Sequence, residues 1–308
     1  MALLLPISVA HPEARPAQTM SVAAEADVKR GPPFGSPGHQ QKRPWMVLPE
    51  TPSLPTPDDQ GMVPVNGGKL YYARYGKGDP VILLHGGLAN SNYWGHQVPE
   101  LARHYQVLVI DLRGHGRSPA SVQPMTYDAM TSDVVGVMDH LHLPSAAFVG
   151  WSDGAIIGLT LAIQHPERVA RLFAFGANFS AEGLIADGAH SATFLAYTRR
   201  AALEYQALSP NPAEYPTLLR RMRRMWSTEP KLSKGMLSSI QARTTIATGD
   251  HDEIIRVQHA RDLAAAIPAA ILLVEPRVSH FAMLQNPRQF TRDVLLFLGR
   301  SDDPAGGR

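Results

Sequence analysis

Residues 150–154, Gly-Trp-Ser-Asp-Gly, constrain the fold of this chain more than any other segment. They follow an apolar run typical of a buried strand, residues 146–149, and precede an apolar run of helical character that begins at Ala155. A serine with a glycine two residues away on each side suits a very tight strand-to-helix turn, which exposes the hydroxyl at the start of the helix. Free backbone N–H groups and the helix dipole favour negative charge there. The segment therefore predicts a strand–turn–helix unit with Ser152 as a candidate nucleophile.

The composition is that of an ordinary soluble globular protein that can bury a large core. The chain has 308 residues, of which 44% are hydrophobic and 18% charged, and its formal net charge is +2. This charge gives no indication of nucleic-acid binding. There are no cysteines, which excludes disulfides, a thiol nucleophile and thiolate metal sites. Neither a His-Glu-x-x-His metal motif nor a phosphate-binding P-loop occurs.

The first 60 residues differ from the rest because they hold eleven of the 26 prolines and show no sustained periodicity. We expect a disordered or extended lead-in. Residues 2–10 are apolar and end in small side chains, as in a signal peptide, but the positively charged start is missing. A cytoplasmic location is slightly favoured over export, and both stay open. No later run has the length of a membrane span.

Strands and helices are predicted to alternate along the chain, which indicates a mostly parallel sheet with helices on both faces. The alternation breaks after residue 177 and resumes near residue 241, so a helical cap is expected over 178–240. The sheet core then comprises residues 61–177 and 241–300, and residues 301–308 form a flexible tail. The predicted strands are 62–65 and 69–75, joined by an Asn-Gly-Gly hairpin turn, then 81–84, 107–110, 146–149, 171–175, 244–247 and 271–274; the predicted helices are 91–104, 126–141, the run from Ala155, 257–266 and 287–298.

A serine hydroxyl needs a base within hydrogen-bond reach, and the base needs an orienting carboxylate. The loop after the strand at 244–247 supplies three candidate acids, Asp250, Asp252 and Glu253. The loop after the last strand supplies His280. Both loops leave the carboxyl ends of strands, where ligands bind in parallel sheets. His85, His115 and His251 are competing candidates for the base. A role in shaping the loops suits His85 and His115 better, and loop packing suits His251 better.

Five segments in the same order resemble the α/β-hydrolase family over residues 62–298. They are His-Gly-Gly at 85–87, residues 111–118, the Ser152 turn, residues 249–252 and residues 279–281. The resemblance implies Ser152 as nucleophile, Asp252 as acid, by the Gly-x-x-Asp spacing, and His280 as general base. The Ser152 turn and residues 175–178 also resemble the biphenyl-hydrolase-like (valacyclovir hydrolase) branch.

An oxyanion formed in acyl transfer requires preorganised donors. The family pattern implies the backbone N–H groups of Gly87 and Asp153, with Leu88 as the alternative to Gly87. The Asp153 carboxylate has two interpretations. It complements the dipole of the helix that follows, or it binds a cationic substrate group, as the valacyclovir-hydrolase resemblance implies.

Large side chains near these motifs and in the cap are predicted to line an apolar substrate pocket. Met222 and Met225 are as consistent with cap packing as with a pocket. The cap also carries six arginines in pairs, which indicates a solvated helix face or attraction of acidic substrates. The predicted pocket residues are Leu88, Trp94, Trp151, Asn178, Phe179, Trp226 and Phe281.

The sequence thus predicts a serine hydrolase that cleaves carboxylic esters of small molecules through an acyl-enzyme, without a cofactor or metal. A lactonase, an amidase and a carbon–carbon bond hydrolase remain alternatives. A small-ligand receptor with little turnover is an alternative of another class, because a fold does not fix a function. Haloalkane dehalogenases and epoxide hydrolases are disfavoured, since those relatives carry Asp where this chain has Ser152. The sequence does not indicate an oligomeric state.

Overall fold

The computed structural model describes residues 43–299, which form one eight-stranded sheet with helices on both faces. The strand order is β1-β2-β4-β3-β5-β6-β7-β8; β1 and β2 pair antiparallel, β2 pairs antiparallel with β4, and all other pairs are parallel. The predicted α/β architecture is confirmed. The strands are β1 (Asp59–Val65), β2 (Gly68–Tyr75), β3 (Pro80–Leu84), β4 (Gln106–Asp111), β5 (Ala146–Trp151), β6 (Val169–Phe175), β7 (Arg243–Gly249) and β8 (Ile271–Glu275).

The helices connect the parallel strands, and three of them lie between β6 and β7, in the segment that is predicted to be a helical cap and is called the cap below. The helix after the Ser152 turn, α3, is buried over most of its length between the sheet and α2. A helix that is apolar on all sides is expected to be buried in this way. The α-helices are α1 (Val98–Leu101), α2 (Tyr127–His140), α3 (Asp153–Gln164), α4 (Ala192–Leu208), α5 (Tyr215–Thr228), α6 (Lys234–Leu237), α7 (Val257–Ala266), α8 (Ala282–Gln285) and α9 (Pro287–Leu298).

The single helix predicted over residues 91–104 is wrong. The segment instead contains a 3-10 turn, Ser91–Trp94, and the short helix α1. Two contacts explain the break. The Asp111 carboxylate accepts the backbone N–H of Ser91, and a side chain at Gly95 would lie 2.6 Å from the carbonyl oxygen of Ser53. The segment is therefore held by the neighbouring loop and the lead-in, and a continuous amphipathic helix does not form.

The described part of the lead-in, residues 43–58, has almost no regular structure but is fastened to the rest of the protein. Arg200 of α4 donates to the carbonyl oxygens of Leu48 and Pro49. Gln285 of α8 donates to the carbonyl oxygens of Trp45 and Val47. The predicted disordered or extended segment is thus extended and bound here, whereas its first 42 residues, including residues 2–10, lie outside the described residues. The predicted tail, 301–308, lies outside them as well.

Between β6 and β7 the described chain contains helices and 3-10 turns but no strand. In α4 the buried residues Tyr197, Ala201 and Tyr205 recur every four positions. In α5 the buried residues Leu218, Met222 and Met225 form a similar stripe. This spacing places one apolar face of each helix toward the core. Within residues 43–299, no helix combines the length and apolar character that crossing a membrane requires.

Candidate active site

Ser152 occupies the tight turn that the sequence predicts. Its backbone lies in the positive-φ region (φ 54°, ψ −118°), between the end of β5 and the start of α3. A Cβ at Gly150 would lie 2.4 Å from the Gly154 carbonyl oxygen, and a Cβ at Gly154 would lie 2.1 Å from the Leu84 carbonyl oxygen. Only glycine fits at either position. A positive φ at a serine is strained, and such strain persists only where the surrounding structure holds the backbone in place.

His280 and Asp252 form a buried hydrogen-bonded pair. His280 Nδ1 lies 2.9 Å from Asp252 Oδ2 and 3.1 Å from Oδ1. The other side of the carboxylate accepts the backbone N–H groups of Ile254 and Ile255, at 2.9 and 2.8 Å. The Thr248 hydroxyl donates to Oδ2 at 3.3 Å, so four donors from the protein hold the carboxylate. A proton on Nδ1 leaves Nε2 as the basic nitrogen of the neutral imidazole.

The two competing acids have different contacts. Asp250 is partly exposed and accepts the backbone N–H of Arg277 at 2.7 Å, which is a loop-stabilising role. Glu253 accepts the backbone N–H of His280 at 3.0 Å and does not contact the imidazole. Burial raises the pKa of Glu253. Of the three candidates, only Asp252 contacts the His280 ring.

The three competing histidines lie in loops, where their rings contact backbone groups or another aromatic ring. His85 donates from Nδ1 to the Gly86 carbonyl oxygen and accepts the Leu112 N–H at Nε2. His115 is buried with Nδ1 against the Arg113 carbonyl oxygen, and burial lowers its pKa to about 3. Both rings are therefore neutral loop supports. His251 packs edge-on against Trp45, with ring centroids 3.8 Å apart.

The electrostatics of His280 combine two opposed effects. Burial lowers the pKa of His280, but the Asp252 carboxylate, with Glu253 and Asp153, outweighs burial and raises the pKa above its ordinary value. Gly176 lies directly against this pair with φ +65°, and a Cβ there would be 2.7 Å from His280 Cε1. The imidazole is thus packed on a position that requires glycine.

Gly87 and Leu88, the two candidate oxyanion donors after β3, line the same cavity as Ser152 and His280. Within the described residues, the backbone N–H groups of Gly87 and Leu88 have no hydrogen-bond acceptor. Asp153 is the first residue of α3, so its N–H also has no intrahelical acceptor. Three free N–H groups therefore surround the Ser152 turn. The hydroxyl of Ser152 itself is not hydrogen-bonded to His280 in this structure.

The Asp153 side chain is buried between the core and the cap. Its carboxylate accepts the Tyr127 hydroxyl at 2.8 Å and the Trp226 indole N–H at 2.9 and 3.1 Å. Burial raises the pKa of Asp153 to about 6, against the opposing effect of these two donors and of His280. Neutral donors thus occupy the carboxylate. Tyr127 is the first residue of α2, and no sequence motif points to it as a partner of Asp153.

A cavity of about 490 Å³ lies between the sheet edge and the cap. Four of the predicted pocket residues line it: Leu88, Trp151, Asn178 and Trp226. The other three predictions are wrong. Trp94 is buried in the core beside Phe290, Phe179 stacks on His259, and Phe281 packs behind Trp151. Most of the wall comes from residues that sequence reasoning missed, chiefly Leu184, Ile185, Phe194, Tyr197, Leu219 and Ile255.

Side chains with a carboxyl, guanidinium or imidazole group are few in the cavity wall. They are Asp153, Glu229, Arg223 and the histidines His190 and His280. Glu229 accepts the backbone N–H of Tyr127. The cap arginines Arg200 and Arg221 bind backbone carbonyls elsewhere. Over residues 43–299, no group of three His, Cys, Asp or Glu side chains is arranged to hold a metal ion.

Comparisons with known proteins identify the family to which this fold belongs. A family profile described as alpha/beta hydrolase fold matches residues 79–207. The chain is 31% identical to the 2-hydroxymuconate semialdehyde hydrolase of Pseudomonas sp. (strain CF600), over 75% of this chain and 90% of that protein.

Solved structures show the same similarity. An N-acyl homoserine lactone degrading enzyme matches with a TM-score of 0.61 and 30% identity, over 77% of this chain and all of that chain. The enol-lactonase of Burkholderia xenovorans LB400 matches with a TM-score of 0.61 and 25% identity, over 78% of this chain and all of that chain. These relatives are a semialdehyde hydrolase, a lactone-degrading enzyme and an enol-lactonase. With its sheet order, its Ser152 turn and a relative matched over nine-tenths of its length, the chain belongs to the α/β-hydrolase family.

Proposed function

We propose that this chain hydrolyses carboxylic esters of small, largely apolar molecules through an acyl-enzyme on Ser152. The observation that carries the proposal is that Ser152 and the Asp252-bound His280 face one apolar cavity. A hydroxyl at a helix start, a base with an orienting carboxylate and free N–H groups around the nucleophile are the parts that acyl transfer requires.

The proposed reaction begins with attack of Ser152 Oγ on the acyl carbon while His280 Nε2 takes the hydroxyl proton. The imidazolium is stabilised by Asp252, and the N–H groups of Gly87 and Asp153 bind the oxyanion. The alcohol leaves with the proton from His280. Water, activated by the same nitrogen, then attacks the acyl-enzyme, releases the acid and regenerates Ser152.

We assign the Asp153 carboxylate a structural role and not the binding of a cationic substrate group. Tyr127 and Trp226 already occupy its oxygens. A fully charged, unpaired carboxylate beside the oxyanion would oppose the reaction by a few kcal/mol, on the order given by an effective dielectric of about 20. Hydrogen bonding away from the reacting centre and a pKa of about 6 both reduce that effect.

The test is hydrolysis of p-nitrophenyl esters of increasing acyl length, with a neutral ester and an amino-acid ester of equal size in the panel. We expect turnover that Ser152→Ala lowers by at least about 10³-fold. Ser180→Ala, a nearby serine outside the cavity wall, is the matched control. A fluorophosphonate probe should label the wild type and not Ser152→Ala.

Activity that survives Ser152→Ala would contradict the mechanism. Tight small-ligand binding with no turnover for any ester would favour the receptor alternative. A selective preference for the amino-acid ester would contradict the role assigned to Asp153.

Cleavage of a carbon–carbon bond is the second candidate function, favoured by the 31% identity with the semialdehyde hydrolase. Lactone cleavage is favoured in the same way by the two solved structures. A ring-cleavage dienoate and a simple lactone therefore belong in the same assay. Turnover of either one at a kcat/KM above that of every ester would replace the proposed substrate class while keeping the same nucleophile.

A further inference from the structure

Gly87 is a glycine at a position where the proposed oxyanion site needs a rigid backbone. A Cβ at this position would lie 2.3 Å from Asp153 Oδ2 and 2.5 Å from Trp226 Cζ2, so a larger residue would have to displace these side chains. Glycine, however, has the widest backbone freedom of all residues. An oxyanion donor works because it is aimed before the charge forms. Something other than a side chain of its own must therefore hold the Gly87 backbone in place.

The peptide unit before Gly87 is held from the core. The Gly86 carbonyl oxygen accepts His85 Nδ1 at 2.7 Å and the Ala89 N–H at 3.1 Å. In a planar trans peptide the C=O and N–H bonds of one unit point in opposite directions. Two donors on the Gly86 oxygen therefore fix the direction of the Gly87 N–H.

The peptide unit after Gly87 is held from the cap. The Gly87 carbonyl oxygen accepts the hydroxyl of Tyr197, which belongs to α4. By the same planarity, this bond also fixes the Leu88 N–H, the alternative donor. Both candidate donors are thus aimed by hydrogen bonds to carbonyl oxygens, one from each side of the cavity.

The Tyr197 ring is itself immobilised. It is 2% exposed, and its centroid lies 5.1 Å from that of Phe281, 5.8 Å from that of Trp151 and 5.9 Å from that of Tyr93. Trp151 and Phe281 are the chain neighbours of Ser152 and His280. The hydroxyl is therefore positioned by the same aromatic packing that surrounds the reacting groups.

We propose that Tyr197 is a positioning residue for the oxyanion site. By holding the Gly87 carbonyl oxygen, it completes the restraint on the Gly87 backbone, whose N–H is directed by the bonds to the Gly86 oxygen, and it directs the alternative donor, the Leu88 N–H. The inference rests on the proposed function, because an oxyanion donor matters only if Ser152 attacks an acyl carbon. Tyr197 does not need to contact the substrate or the reacting atoms for this role.

The experiment compares Tyr197→Phe with the wild type and with Tyr215→Phe. Each variant loses one cap hydroxyl, but the Tyr215 hydroxyl binds the Thr198 carbonyl inside the cap. We expect Tyr197→Phe to lower kcat about tenfold with KM within about twofold, because the interaction acts in the transition state. The Ki of a trifluoromethyl ketone, which forms a tetrahedral adduct, should rise by the same factor. The Ki of the matching methyl ketone and the pH profile should stay unchanged.

Incorporation of 4-aminophenylalanine at position 197 keeps the ring and a weaker N–H donor, and should restore part of kcat. If Tyr197→Phe is too unstable to assay, the 4-aminophenylalanine variant tests the inference instead. Relative to the wild type, its kcat should fall and its Ki for the trifluoromethyl ketone should rise by the same factor, and this factor should be smaller than that expected for Tyr197→Phe. Unchanged kcat and Ki in folded variants would overturn the inference, and so would a rise in KM at constant kcat, which indicates a substrate contact. Whatever the result at position 197, ester turnover by the wild type that is lost in Ser152→Ala would still support the proposed function.

Discussion

The sheet edge and the cap contribute to the site in different ways. Ser152, Asp252 and His280 follow β5, β7 and β8, and strand pairing fixes where those strands end: Trp151 pairs with Phe175, which pairs with Ala247. The cap has no strand among its described residues and meets the site through side chains. From this difference we expect the core to determine whether the proposed reaction occurs, and the cap to determine which molecule fits and how well the backbone donors are aligned.

Substitution of the core acid Asp252 is expected to have the greatest effect on activity. Asp252→Asn should lower kcat by about 10³–10⁴-fold, equivalent to about 4–5.5 kcal/mol, because the amide no longer holds His280 with its proton on Nδ1. Steady-state kinetics on the best ester measures this. Asp250→Asn, in the same loop, should retain activity within a few-fold.

The pH profile provides a second readout of the same variant. The base must be neutral, so kcat/KM rises as pH increases through the pKa of free-enzyme His280. Asp252 and neighbouring carboxylates raise this pKa, so the acid limb should have its midpoint above 6.5. Asp252→Asn should move the midpoint to lower pH. A midpoint that does not move would contradict the assignment of Asp252.

The core also contains a buried carboxyl group, Glu275, that is expected to lower the free energy of unfolding at high pH. Glu275, at the end of β8, is buried, and neither carboxylate oxygen has a partner among the described residues. Burial, with a smaller effect of Asp293, raises the pKa of Glu275 to about 8. The folded state therefore keeps a proton that the unfolded state releases near pH 4.5, and the free energy of unfolding falls as pH rises between these values.

We expect Glu275→Gln to remove this decline. Its gain in stability over the wild type should grow from near zero at pH 5 to about 2–4 kcal/mol at pH 9, measured by urea unfolding. The exposed Glu100→Gln serves as the control. A pH-independent difference would show that Glu275 does not titrate in this window.

The smallest effect is expected where the cap meets the core. Trp226→Phe keeps an aromatic ring but removes the donor to Asp153. The free energy of unfolding should fall by about 1–2 kcal/mol, and the pKa of Asp153 should rise further, because one opposing hydrogen bond is lost. KM should change more than kcat, since Trp226 lines the cavity. Trp45→Phe is the control, and a change in kcat larger than the change in KM would contradict the expected role of Trp226 in shaping the cavity.

The core was predictable from the sequence because its signals are local and periodic. The apolar runs, the Asn-Gly turn and the glycines around Ser152 each predict an element that the structure contains. Thr126 is a clear example, since its hydroxyl oxygen accepts the Ala129 N–H and begins α2 where the sequence places it. The mostly parallel sheet with helices on both faces was therefore accessible from pattern alone, whereas the α/β-hydrolase family was identified by the resemblance of five motifs.

The cavity wall was not predictable, because it depends on which face of a cap helix meets the sheet. Tyr197 has the same helical spacing as Tyr205, yet only Tyr197 reaches the Gly87 carbonyl. Trp94 and Phe281 are large and close to the motifs in sequence, but they point into the core. The Asp153 carboxylate needed partners from α2 and α5, which no spacing rule brings together.

The position of the Trp226 indole makes its fluorescence a reporter of the contact between cap and core. The chain contains four tryptophans, and Trp226 is the one in the cap, with its N–H on an ionisable carboxylate. Protonation of Asp153, or displacement of α5, would change the polarity around this ring while Trp94 and Trp151 stay in the core. Intrinsic fluorescence, with Trp226→Phe as the subtraction blank, would thus give an optical record of cap seating without an attached dye.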